Sequence, residues 1–126
     1  MSLRTPLGKV LGLGTAKEGT DHWWAQRISA VALFFLGLWF AGSLSGFDSF
    51  AHEVVVAFIA EPLNGALLAL FCMTVAYHSH LGLQVVIEDY VHAAGLKIFA
   101  LVASRFFHVL VAVLSVYSVL RIGLGA

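Results

Sequence analysis

The chain has 126 residues, 60% of them hydrophobic and 11% charged; a soluble domain carries roughly 25% charged residues, so a water-soluble fold is excluded at the outset. Seven basic residues balance seven acidic ones, which leaves no net field to attract nucleic acid or an acidic partner. The lone Cys72 rules out an internal disulfide and a multi-cysteine zinc or iron–sulfur centre.

Residues 1–27 mix Lys and Arg with Glu18 and Asp21 and contain no apolar stretch before a small-residue cleavage site. They read as a retained polar tail rather than a signal peptide. Trp23 and Trp24 near its end suit the aromatic belt of a membrane interface. Residues 28–47 then run 20 positions without a charge, matching the about 20 residues a helix needs to cross the hydrocarbon core. The loop 46–61 has Asp48, Glu53 and Glu61 but no Lys or Arg. Its apolar stretch 54–60 is expected to lie along the outer interface until Pro62 opens the next span. Residues 62–87 form a second uncharged run of 26, and 98–120 a third of 23 that contains Arg105. Arg105 lies near the start of that run, where its head can snorkel or find a partner.

Each run exceeds what a spanning strand needs and none alternates apolar with polar, so helices are predicted. The expected fold is an all-α integral membrane protein: a single domain, 1–126, with three transmembrane helices and no internal repeat. Arg4, Lys9, Lys17 and Arg27 precede the first span, which puts the N-terminus on the cytoplasmic or matrix side. The 88–97 loop then shares that side, and the tail after Arg121 faces the other way.

The second span holds the sharpest chemical feature, Tyr77-His78-Ser79-His80-Leu81-Gly82. Ionisable side chains inside a membrane generally face protein, water or a cofactor. His78 lies about 18 Å deeper than Tyr90 along a helix, where a neutral imidazole is a good axial ligand for haem iron and equally a donor for an interhelical hydrogen bond. Gly82, one turn on, lets a porphyrin edge or a neighbouring helix come close. His80 is about 200° around the helix from His78, so it reads as structural or peripheral to such a group. His108 follows Arg105 by one turn; the pair suits helix pairing, or holding a carboxylate, a propionate or a partner carbonyl. His22 and Arg27 flank the tryptophans, either as a basic interfacial anchor or as ligands for haem propionates. His52 and His92 read as solvated loop residues. Glu88-Asp89-Tyr90 closes the second span either as a polar helix end or as a quinone site, in which the phenol donates to a quinone carbonyl and the carboxylate orients it and relays protons. Gly37, Gly42, Gly65 and Cys72 read as helix-packing residues.

HWWAQR at 22–27 opening one span, and HSHLGLQVVIEDYVH at 78–92 closing the next, resemble the hydrophobic membrane anchors of succinate dehydrogenase (complex II), cytochrome b-type, of the alphaproteobacterial and mitochondrial-like group. The likeness runs from about residue 7 to 120. It implies that the chain is half of a heterodimeric anchor helix bundle. By the same likeness His78 is an axial ligand to the iron of a haem b shared with a second membrane anchor subunit, Tyr90 hydrogen-bonds ubiquinone with Asp89 beside it, and Arg27 and His22 lie near the haem propionates. The spacing from His22 to Arg27 varies among relatives, and His80 departs from relatives that carry an aromatic or an arginine there.

The resemblance further implies an iron–sulfur subunit and a flavoprotein subunit as partners, lipid all round, and no catalysis by the chain alone. Electrons from succinate would reach quinone beside this chain, as in succinate:ubiquinone oxidoreductase. A fumarate reductase anchor working in the opposite direction, and a non-redox membrane scaffold, are the alternatives. The N-terminal tail favours a bacterial inner membrane over the mitochondrial one.

Overall fold

A computed structural model describes residues 16–125, and these form four helices: α1 (Ala16–Ser45), α2 (His52–Ala60), α3 (Pro62–Tyr90) and α4 (Ala94–Gly123). Three of them, α1, α3 and α4, are long and apolar enough to cross a membrane. The all-α membrane fold expected from the charge-free runs is therefore the fold observed. Of the basic residues used for orientation, Arg4 and Lys9 lie outside the described residues.

The helices overrun the apolar runs. The first begins at Ala16, twelve positions before residue 28, and stops at Ser45, before Phe47. The third helix continues through Glu88 and Asp89 to Tyr90, and the fourth starts at Ala94. What was expected as a loop over 88–97 is thus only residues 91–93. The reason is physical: absence of charge marks the part of a helix that lies in hydrocarbon, whereas hydrogen bonding continues into the wet interface where Glu, Asp and Lys are tolerated.

The apolar stretch after the first span is a helix in its own right. Its Ile59 is buried, and Phe58 stacks on Trp39 at 6.1 Å and meets Phe47 edge-on at 5.1 Å. A Cβ at Gly65 would stand 2.8 Å from the Ile59 carbonyl oxygen, whereas one at Gly123 would stand 3.6 Å from it. Glycine at 65 is what lets α2 lie against the start of α3. Gly37 and Gly42, by contrast, have open space where a Cβ would point, so among the described residues nothing packs against them there.

Helix α3 is the middle element, packed on α4 along one flank and on α1 along the other; α1 and α4 do not pack on each other. Among the described residues no large side chain is fully buried, and Phe34, Phe35, Phe99 and Phe106 are among many exposed apolar residues. A surface of this kind belongs against lipid or other transmembrane helices. Hydroxyls in the spans mostly satisfy themselves: Ser43, Ser45, Thr74 and Ser118 each donate to the carbonyl four residues back. Ser29 and Ser79 instead reach across to another helix, and both meet a histidine.

Candidate functional site

The two histidines of the second span face opposite flanks of α3, as their 200° separation requires. His78 faces α1, where His22, Gln26 and Ser29 follow one another at i, i+4 and i+7 along the inward stripe. Its Nδ1 is 2.9 Å from Ser29 Oγ, and that hydroxyl is 3.1 Å from the Gln26 carbonyl oxygen. A hydroxyl has one proton. Donated to the Gln26 carbonyl, it leaves lone pairs on Oγ to accept from His78 Nδ1–H, so the lone pair of the ring lies on Nε2. The Gln26 side-chain Nε2 approaches that nitrogen at 3.4 Å, a long contact, while the amide's own Oε1 is buried without a hydrogen-bond partner among the described residues. A Cβ at Gly82 would lie 3.6 Å from the same Gln26 amide, so it is a neighbouring helix that approaches Gly82 here.

His80 faces α4, its ring centroid 5.5 Å from that of His108. His108 is buried and pairs helices: its Nδ1–H donates to the Ser104 carbonyl at 2.7 Å, and its Nε2 accepts from Ser79 Oγ at 3.2 Å. This is the pairing alternative read from the sequence, with Ser79 as a partner the sequence did not point to. Arg105 does not complete that pair; it lines an open groove with His80, Gln84, Leu101 and Val102. Cys72, half-buried, shares an α3–α4 cavity with Ser79, His108 and Ser115.

At the N-terminal end of α1, His22 turns toward the bundle, its Nε2 buried and without a hydrogen bond among the described residues. Arg27, five residues and about 140° further round, points outward, its guanidinium 5.3 Å over the Trp23 ring. Within this chain the two do not converge on one point.

The end of α3 is capped from the next helix. Lys97 Nζ donates to the Glu88 carbonyl at 2.8 Å, His92 Nδ1 lies 3.0 Å from the Tyr90 carbonyl, and Gln84 donates to the Glu88 carboxylate at 2.8 Å. Cationic and donor groups at a helix C-terminus satisfy carbonyls left without intrahelical partners. Glu88 is thereby occupied, and Asp89 and Tyr90 are left exposed, Tyr90 at 77%. His92 is thus a cap on α3 and not merely solvated, while exposed His52 is the first residue of α2.

Among the described residues no three His, Cys, Asp or Glu side chains converge to hold a metal ion. His78 offers one imidazole nitrogen to the space between α1 and α3. Ser29 and Gln26 were missed in the sequence; the signal available was a line of polar residues at i, i+4 and i+7 entering an otherwise apolar span.

The sequence model of the family described as succinate dehydrogenase/fumarate reductase transmembrane subunit matches residues 1–114. The succinate dehydrogenase hydrophobic membrane anchor subunit of Paracoccus denitrificans is 34% identical over 122 residues, covering 97% of this chain and 94% of that one. The protein of the same name from Rickettsia bellii is 31% identical over 116 residues, 92% and 93% of the two chains. The succinate dehydrogenase membrane anchor subunit of Reclinomonas americana is 28% identical over 100 residues, 77% of this chain and 83% of that one. The chain belongs to the succinate dehydrogenase/fumarate reductase transmembrane subunit family, alongside its hydrophobic membrane anchors.

Proposed function

We propose that this chain is the membrane anchor of a succinate:ubiquinone oxidoreductase, complex II of the aerobic respiratory chain and tricarboxylic acid cycle, in a bacterial inner membrane with its N-terminus in the cytoplasm. It pairs with a second three-span anchor, holds one haem b jointly with it, and completes a ubiquinone-reducing site next to the iron–sulfur subunit, which receives electrons from the flavoprotein. The observation that carries this reading is that one helix, α3, presents His78 in the span and an exposed Asp89–Tyr90 pair at its C-terminal end.

The residues present fit a haem. His78 Nδ1 is engaged by a hydroxyl, Nε2 carries only a long contact from a flexible amide, and Gly82 adds no bulk beside it. When bound, the haem supplies a one-electron store between the two anchors. His78 contributes the neutral nitrogen, and Arg27 and His22 at the inner end of α1 supply positive charge and hydrogen-bond donors for carboxylates near the interface. Tyr90 donates its phenolic hydrogen bond to a quinone carbonyl oxygen, and Asp89 orients that phenol and passes protons from the inner aqueous phase. The chain is not catalytic alone.

The test is spectroscopic. In the purified complex, His78→Ala should abolish or alter the low-spin b-type haem spectrum, whereas His80→Ala, on the opposite flank, should leave six-coordination intact. An unchanged low-spin spectrum and potential in the His78 variant would remove the haem assignment and favour a scaffold in which histidines only pair helices.

A further inference from the structure

The most buried of the described residues is not an apolar side chain but Ser29, at 5% relative exposure. Serine hydroxyls in a span ordinarily fold back on the carbonyl four residues earlier, as Ser43, Ser45 and Ser118 do. Ser29 instead gives its proton to the carbonyl three residues back, at Gln26, and its oxygen lies 2.9 Å from His78 Nδ1 on the facing helix. The three groups form a directed chain: ring N–H to hydroxyl oxygen, hydroxyl proton to backbone carbonyl. The Gln26 carbonyl can only accept, so a hydroxyl proton given to it leaves Oγ to accept from the ring N–H. In that arrangement the ring is oriented by the hydroxyl and its basic nitrogen is Nε2.

We infer that Ser29 is the positioning residue of His78, a serine that fixes the imidazole's tautomer and raises its donor strength as an iron ligand. The inference rests on the reading of His78 as that ligand. A histidine bound to metal characteristically gives its other N–H to an acceptor, which orients the ring and raises its basicity; here the acceptor is the hydroxyl of a different transmembrane helix. Because the acceptor is on α1 and the ligand on α3, the same hydrogen bond also registers these two helices against each other at the level of the site. Electron donation from the ring favours the ferric state, so the hydrogen bond lowers the reduction potential.

Three variants of the assembled, detergent-purified complex test this: Ser29→Ala, Ser29→Val and Ser29→Thr. Thr and Val have the same shape and differ by a hydroxyl, and Ala covers the case in which the larger Val is not accommodated. The readouts are the g-values of the low-spin ferric haem, its midpoint potential, and the haem-to-flavin ratio. Ala and Val should raise the potential, shift the g-values and lower haem retention by about tenfold or more, the usual scale for losing such a partner; Thr should restore all three. Equal potentials and g-values in the Ala, Val and Thr complexes would overturn the role of Ser29 while leaving His78 as ligand. A low-spin spectrum that survives His78→Ala would instead remove the ligand itself, so the two failures are told apart.

Discussion

Ser79 on α3 and His108 on α4 share a hydrogen bond of 3.2 Å, and it is one of the few side-chain bonds that join these two helices. Since His108 Nδ1–H is already donated to the Ser104 carbonyl, the Ser79 hydroxyl satisfies the remaining ring nitrogen. Ser79→Ala should strip that partner and cost about 0.6–2 kcal/mol, the range for interhelical polar bonds in bilayers. Thermal unfolding of the purified complex measures it, and the haem spectrum should not move, because His78 faces the other flank. A double-mutant cycle with His108→Leu should return a coupling of the same size; additive losses would mean the bond contributes nothing.

Gly65 faces the Ile59 carbonyl oxygen at a distance that leaves no room for a Cβ. Gly65→Ala should therefore force α2 off the start of α3 and destabilise the protein by about 1–3 kcal/mol, the usual cost of overpacking. Gly123→Ala, whose Cβ would make an ordinary 3.6 Å contact with the same oxygen, should be tolerated. Equal melting temperatures for the two variants would contradict this docking.

Tyr90→Phe keeps the ring and removes only the hydroxyl. Loss of one partner of a buried hydrogen bond costs about 1–3 kcal/mol, and each 1.36 kcal/mol on a barrier is about tenfold in rate. Succinate–quinone turnover should fall by about tenfold to a hundredfold if the bond is present in the transition state. Electron delivery to an artificial acceptor at the soluble subunits, and haem content, should be unchanged. Asp89→Asn should show a milder form of the same selective loss. Normal quinone turnover and affinity in the Phe variant would leave Tyr90 as an interfacial anchor only.

Orientation is testable with single cysteines in a Cys72→Ser background. Ala94→Cys, at the exposed start of α4, should react with an impermeant thiol reagent only from the cytoplasmic side, and Ser49→Cys, before α2, only from the outside. The reverse pattern would place Tyr90 on the face away from the soluble subunits.

The three spans were legible because the hydrocarbon layer demands long uncharged runs, and residues 28–47, 62–87 and 98–120 supply them, the last interrupted only by Arg105. The opposition of His78 and His80 was legible too, since it follows from 100° per residue alone. Helix ends were not, because Glu88, Asp89 and Lys97 are polar yet helical. Nor was the meeting of Ser29 with His78, or of Ser79 with His108, because a sequence gives the face of each helix but not its register against a neighbour. Gly65 and Gly37 look alike in a string of letters; only the position of the Ile59 carbonyl separates a glycine that packing requires from one that it does not.

The connection after Tyr90 is only residues 91–93, and Lys97 grips the Glu88 carbonyl across it. Tyr90 is therefore mounted on a strut rather than on a loop. Its phenol and the His78 imidazole, twelve residues apart along α3, are separated by about 18 Å of helix axis and travel together as one rigid body. A tilt or slide of α3 displaces both by a common motion, so the spacing between the two groups is insulated from fluctuations of the connecting segments. Lengthening the 91–93 turn should leave that spacing intact while loosening how the strut is braced against α4.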